Sequence, residues 1–118
     1  MEHDALLESL VSIATEAHRF EESLLCVLPK LGYDDRKACE ARIEQFSRRV
    51  RRALEHADMK SVVYDGQRYD PDMPVTPLNI KDFARGDALY VSKTEEPTVV
   101  RGLTVVRRGT VQLAKAGK

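Results

Sequence analysis

Residues 105–116 read VVRRGTVQLAKA, and together with residues 66–72, GQRYDPD, they decide the fold. Apolar residues alternate with polar ones in the closing stretch, and turn-forming residues fill the earlier one, which predicts short strands joined by tight turns. Two strongly periodic helical segments precede this region. The sequence therefore predicts an α+β protein, in which an N-terminal helical hairpin is followed by a small antiparallel β-sheet domain.

The region after residue 60 predicts five to six short strands. Residues 61–64 and 67–69 flank Asp65-Gly66, a two-residue signal for a β-hairpin. The segment 70–77 contains three prolines and is expected to be an extended loop. The remaining elements are expected in the order strand 88–92, turn 95–97, strand 98–101, a break at Gly102, and a further break at Arg108-Gly109.

Both helical segments carry an apolar stripe at the spacing of a heptad repeat. In the first segment the stripe consists of Leu6, Leu10, Ile13, Ala17, Phe20, Leu24, Val27 and Leu31. In the second it consists of Cys39, Ile43, Phe46, Val50, Ala53 and Ala57. We expect Pro29 to end the first helix near Leu28, Gly32 to lie in the turn, and Asp34 or Asp35 to cap the second helix.

Two heptad stripes joined by a short turn predict an αα-hairpin that forms half of a dimeric four-helix bundle. The residues expected at the dimer seam are Leu6, Leu10, Ile13, Ala17, Phe20, Leu24, Ile43, Phe46, Val50 and Ala53. The alternative is that the β domain covers the open side of the stripes, but the 3.5-residue period favours a helix–helix seam. The expected domains are residues 1–59, the dimerising hairpin, and residues 60–118, the β domain.

The formal net charge is zero, which gives no overall signal for nucleic acid or membrane. Residues 1–35 nevertheless hold eight acidic residues against two basic ones, and residues 36–60 hold eight basic residues against four acidic ones. This segregation favours antiparallel pairing of the two helices. The four arginines of residues 48–52 are expected to form a solvated face paired with the acidic first helix. Contacts with nucleic-acid phosphates or with an acidic protein partner remain alternatives.

The sequence shows no recognisable catalytic apparatus, so we expect neither an enzyme nor a cofactor. His3, His18 and His56 are far apart and lack neighbouring ligands at metal-site spacing. Cys26 and Cys39 are similarly distant from the turn; a redox pair is an alternative to two small buried side chains. No nucleophile has an adjacent base, and no glycine-rich loop precedes a helix.

The sequence contains few signals that indicate a cellular compartment. No stretch approaches the roughly 20 apolar residues that span a bilayer, and no secretory signal is visible at the N-terminus. Two cysteines do not form a disulfide framework. We therefore expect a cytoplasmic protein with no membrane partner.

Four pieces of the region from Arg42 to Ala116 resemble one known family in their order and spacing. They are Ile43-Glu44, then Lys60-Ser61-Val62-Val63 through Tyr69-Asp70-Pro71, then Asp82-Phe83-Ala84-Arg85-Gly86-Asp87, and finally Val106-Arg107-Arg108-Gly109-Thr110-Val111-Gln112-Leu113-Ala114-Lys115. The family is that of the GrpE nucleotide exchange factors, co-chaperones of DnaK-type heat-shock chaperones. The first helix is similar to the family in architecture only.

The chain departs from the family pattern at several positions. Met73-Pro74-Val75 replaces a polar residue and a histidine-containing stretch after Asp-Pro, and Arg107-Arg108-Gly109 replaces Arg-Pro-Ala. Thr104 stands where the family commonly has an arginine, and the long N-terminal coiled coil has no counterpart before the first helix. These departures fit a divergent paralogue that serves one dedicated chaperone.

The resemblance implies that the β domain docks on the nucleotide-binding domain of a DnaK-type chaperone, favours its open form and speeds ADP release. We expect Val111 and Leu113 on the docking face, with Arg107 taken from the family motif and Arg101 added at its edge. Sheet packing or a solvated strand edge is the alternative role for all four. The alternative functions are a protein-interaction adaptor without exchange activity and a small-barrel nucleic-acid-binding module.

Overall fold

A computed structural model describes the backbone of residues 2–116 and the side chains of residues 5–116. The chain divides after Lys60 into two compact units. The first unit contains two helices packed as a hairpin, and the strands that follow form two small three-stranded sheets. The predicted α+β class is therefore confirmed.

The helical unit consists of α1 (Glu2–Val27), a 3-10 turn (Leu28–Lys30) and α2 (Tyr33–Glu55). Pro29 lies inside the 3-10 turn, where its missing N–H and its ring prevent the α-helix from continuing. The predicted end of the first helix is thus correct to within one residue.

The predicted N-cap of α2 is wrong. Gly32 is the N-cap, in an extended conformation, and its carbonyl accepts a hydrogen bond of 2.8 Å from the Arg36 N–H. Asp34 and Asp35 instead lie in the first turn of the helix, where negative charge interacts favourably with the exposed N–H groups. The two aspartates therefore stabilise the helix start without capping it through a side-chain hydrogen bond.

Six strands follow the helices. They are β1 (Met59–Val62), β2 (Val75–Pro77), β3 (Leu89–Glu96), β4 (Thr98–Arg101), β5 (Thr104–Arg107) and β6 (Gly109–Lys115). One sheet has the order β1-β4-β5 and the other the order β2-β6-β3. The number of strands and the breaks at Gly102 and Arg108 agree with the sequence prediction.

The sheets are not purely antiparallel, because β2 pairs with β6 in parallel, with Val75 opposite Gly109. The sequence predicts only a loop for the segment 70–77, but its last three residues form this strand. Val75 is buried in the core, and burial of its side chain favours pairing of this segment with β6. Pro77 is tolerated because β2 is an edge strand and does not need every N–H.

The segment that follows Asp65-Gly66 pairs with a different strand from the one predicted. The turn itself forms, with Gly66 at φ 83° and the Gln67 N–H donating to the Tyr64 carbonyl at 3.0 Å. However, residues 66–69 hydrogen-bond to the outer edge of β3, for example from the Tyr69 N–H to the Leu89 carbonyl at 2.9 Å. The turn was predicted correctly and the partner strand was not.

The core of the β unit lies on the inner face of the β2-β6-β3 sheet. Its buried members are Val75, Leu89, Val91, Val111 and Leu113, and Tyr64, Tyr69, Met73 and Phe83 pack around them. Gly109 opens β6 at a point of close backbone approach, where a Cβ atom would lie 2.5 Å from the Glu96 carbonyl oxygen. Only glycine fits this position without moving the neighbouring backbone.

Candidate functional site

The structure divides the four expected partner-binding residues between the two sheets. Arg101 and Arg107 are exposed, at the ends of β4 and β5. Val111 and Leu113 are 0% and 3% exposed and belong to the core. The expectation for these two is corrected: β6 is the central strand of its sheet, and its inward-facing residues hold the β unit together.

The exposed arginines frame the turn between β4 and β5. Gly102, with φ 58°, and Leu103 form a two-residue connection that places Arg101 opposite Thr104. The Leu103 side chain is fully exposed, and Val105, on β5, is also exposed. We call Arg101, Leu103, Val105 and Arg107 the β4–β5 tip.

The two arginines of the β4–β5 tip differ from the neighbouring Arg108 in having no described partner. The neighbouring Arg108 donates from Nη2 to the Val75 carbonyl at 2.6 Å and so anchors its own loop. Within the part of the chain that the structure describes, Arg101 and Arg107 form neither an ion pair nor a side-chain hydrogen bond. The tip therefore combines exposed apolar side chains with two guanidinium groups that have no partner among the described residues. Arginine is enriched among the residues that dominate protein interfaces, and the exposed apolar side chains add surface that a partner could bury.

The base of the β4–β5 hairpin is fixed by hydrogen bonds of Thr98. Thr98 Oγ1 donates to the Pro74 carbonyl at 2.8 Å and accepts from the Gly109 N–H at 3.1 Å. Val99, next to Thr98, is fully buried. Because both ends of the hairpin are fixed, the tip is presented in a defined position, which limits the ordering entropy that binding would require.

The second exposed apolar feature lies on α1. Leu6, Ile13, Phe20 and Val27 follow one another at seven-residue intervals, and all four are exposed. We call this line the α1 ridge. Phe20 also contacts Phe46 of α2 edge to face, with ring centroids 5.8 Å apart. A continuous apolar line on a helix surface is typical of a helix–helix contact.

The ten expected seam residues fall into three classes of exposure. Leu6, Ile13, Phe20 and Ala53 are exposed, Leu10, Leu24, Phe46 and Val50 are half-buried, and Ala17 and Ile43 are buried. The heptad stripe of α1 thus has one line on the ridge and a second line that is partly or fully buried. Self-association stays a prediction, and the ridge is the surface available for it.

Among the described side chains, residues 5–116, the arginine cluster of α2 forms no ion pair with α1, contrary to expectation. Arg48 binds Glu44 of its own helix at 3.0 Å. Among the described residues, Arg49, Arg51 and Arg52 form no ion pair. The described contacts therefore do not support the expected pairing of this cluster with the first helix.

Cysteine and histidine provide no assembled site. Cys26 is exposed and Cys39 is half-buried, and both are free thiols, so the expectation of two buried cysteines is wrong for Cys26. The side chain of His3 lies outside the described residues. In the range 5–116 no three His, Cys, Asp or Glu side chains are grouped so as to hold a metal ion. Neither described helix is long and apolar enough to cross a membrane.

A groove of about 470 Å³ lies on the β unit. Its walls include Arg68, Tyr69, Ile80, Phe83, Arg85 and Asp87. Asp87 is already engaged, because its carboxylate accepts from the Ala84 N–H at 2.9 Å and lies 3.7 Å from Lys115 Nζ. The described lining contains no serine or cysteine and combines apolar with charged side chains, a composition that suits binding.

No family model, curated protein or solved structure is detectably similar to this chain. The assignment of a site therefore depends on the geometry of the chain itself.

Leu103 and Val105 are not among the contact residues expected from the sequence. A signal was present: Gly102-Leu103 places a large apolar residue in a two-residue turn, where small or polar residues are the norm. A residue that violates the usual turn composition without gaining burial is a candidate for contact with another molecule.

Proposed function

We propose that this chain is a GrpE-like co-chaperone that accelerates ADP release from a DnaK-type chaperone. In this proposal the chain self-associates through the α1 ridge and binds the chaperone's nucleotide-binding domain through the β4–β5 tip. The proposal also places this chain and its chaperone partner in the cytoplasm. The tip takes the place of the sheet face that the sequence suggested.

The observation that carries the proposal is the β4–β5 tip, with Leu103 fully exposed between Arg101 and Arg107. Further support comes from the order of elements, in which a helical hairpin with an apolar heptad ridge precedes a small β unit. The proposal thus rests on a presented contact surface, together with the resemblance of residues 42–116 to the GrpE family.

The mechanism requires that the chain bind the open form of the chaperone more tightly than the closed form. A chaperone whose open form is populated at about 1% needs a preference of several kcal/mol before that form predominates. Burying a fully exposed leucine contributes about 1.5 to 3 kcal/mol, and a desolvated guanidinium–carboxylate contact adds to it. Leu103 and the two arginines supply a preference of the required order if they contact only the open form.

The proposal is tested by stopped-flow release of a fluorescent ADP analogue from a DnaK-type chaperone of the same organism. The wild-type chain is expected to accelerate release, and Leu103→Asp is expected to reduce the acceleration at least tenfold. The control is Leu78→Asp, which introduces the same change at another exposed leucine of the β unit, away from the tip. This control should retain full activity.

Two outcomes contradict the proposal in different ways. Unchanged release by a folded Leu103→Asp chain removes the tip from the mechanism. If the wild-type chain binds the chaperone without changing the release rate, exchange activity is excluded and the adaptor function is supported instead.

A further inference from the structure

The outer face of α2 carries a line of basic residues that the proposed exchange function does not use. Arg42, Arg49 and Arg52 are exposed, and so is His56, the C-cap residue, whose backbone keeps the helical conformation. At 100° per residue they fall within about 80° of arc, on the opposite side of the helix from the buried Ile43 and Leu54. We call these four residues the α2 basic stripe.

The α2 basic stripe has no ion-pair partner in the part of the chain whose side chains the structure describes. The described ion pairs of α2 join Lys37 to Glu40 and Arg48 to Glu44, both off the stripe. No member of the stripe takes part in an ion pair or side-chain hydrogen bond in the range 5–116. The three arginines of the stripe therefore present positive charge to solvent without an ion-pair partner among the described residues.

This arrangement is unfavourable for the isolated helix. Like charges three or four residues apart, such as Arg49 and Arg52, destabilise a helix by about 0.2 to 0.5 kcal/mol. Arg52 lies in the last turn, where positive charge is favoured, but Arg42 and Arg49 do not have this compensation. A local arrangement that lowers stability without an intramolecular gain is characteristic of a binding surface.

We propose that the α2 basic stripe docks an acidic helical segment of a partner protein. The 7-3-4 spacing of Arg42, Arg49, Arg52 and His56 is that of one side of a helix–helix seam, so carboxylates at the same spacing on a second helix would meet it. Guanidinium groups bind carboxylates through two parallel hydrogen bonds, which suits this pairing.

Nucleic acid fits the α2 basic stripe less well. A helix in the major groove, about 12 Å wide, has phosphates on both of its sides. One flank of α2 carries Glu40, Glu44 and Glu55, which would face those phosphates. The stripe also contains no aromatic side chain on which a base could stack. An acidic helix contacts only the stripe itself and avoids the flanking glutamates.

The experiment measures fluorescence anisotropy of a labelled helical peptide with glutamates at heptad spacing, titrated with the full chain at about 50 mM salt. Binding is expected for this peptide, and at least tenfold weaker binding for the same peptide with glutamine in place of glutamate. Arg49→Glu is expected to weaken binding at least fivefold. The matched control is Arg51→Glu, an identical change on the same helix about 160° away from Arg49, with an expected effect below twofold.

Equal losses in Arg49→Glu and Arg51→Glu would overturn the proposal, because they indicate unspecific attraction. Absence of binding to the glutamate peptide at millimolar concentrations would also overturn it. Tighter binding to a 20-base-pair DNA duplex or to anionic lipid vesicles than to the peptide would assign the stripe to another partner class. None of these measurements involves ADP release or the β4–β5 tip. A negative result here therefore rejects docking on the α2 basic stripe without bearing on the proposed exchange function.

Discussion

Replacing Ile13 by alanine is expected to weaken self-association of the chain. Ile13 is central to the α1 ridge and 60% exposed, so most of its surface remains available to a second copy. Full burial of an isoleucine side chain stabilises by about 1.5 to 3 kcal/mol, and 60% of that is about 1 to 2 kcal/mol. A two-fold dimer contains the residue twice, so about 2 to 4 kcal/mol is lost, which raises the dimer Kd about 30- to 1,000-fold.

Sedimentation velocity over a range of protein concentrations measures this Kd. The control is Leu25→Ala, because Leu25 is 45% exposed on the same helix but lies about 120° around it from Ile13. The control should change the Kd less than threefold. A wild-type chain that stays monomeric at the highest concentrations, or equal changes in Kd for both variants, would refute the reasoning.

Three further predictions concern the fold. Gly109→Ala should lower the free energy of unfolding in urea by about 3 kcal/mol, because its Cβ would lie 2.5 Å from the Glu96 carbonyl oxygen; a loss below 1 kcal/mol contradicts this. Asn79→Ala removes side-chain hydrogen bonds of 2.9 and 2.8 Å to the Leu113 carbonyl and N–H, so stability should fall by about 1 to 3 kcal/mol. Unaltered hydrogen exchange at the Leu113 amide would show that these bonds do not hold β6. Asp58 has φ 58°, so Asp58→Gly should preserve stability or raise it by up to about 1 kcal/mol, and a lower thermal midpoint would assign the aspartate a stabilising contact.

The helical unit was predictable because its signals are local. The heptad spacing of apolar residues specifies helix and face together, and Pro29 marks the end of α1 regardless of what surrounds it. The cap of α2 was missed because Gly32, which forms no side-chain cap, was assigned to the turn. An error of this kind changes the boundary of a helix but not the architecture.

The pairing of the strands was less predictable because it depends on residues distant in sequence. In the parallel pair of β2 and β6, Val75 lies opposite Gly109, and no local sequence pattern predicts this pairing. Likewise, a period of two indicates that Val111 and Leu113 share a face, but it does not say whether that face is inside or outside. Their burial follows from the side chains that cover this face, Tyr64, Tyr69, Met73 and Phe83, which are distant from β6 in the sequence.

The α1 ridge and the β4–β5 tip have different roles in the proposal, and protein concentration separates them. A ridge variant such as Ile13→Ala loses exchange only because the dimer dissociates, so raising its concentration above the new Kd restores ADP release. Leu103→Asp alters the chaperone contact in every dimer, and higher concentration restores activity only as far as its weakened chaperone affinity allows. If Ile13→Ala remains inactive at concentrations where sedimentation shows a dimer, the ridge contacts the chaperone directly. The assignment of self-association to the ridge and of chaperone binding to the tip is then wrong.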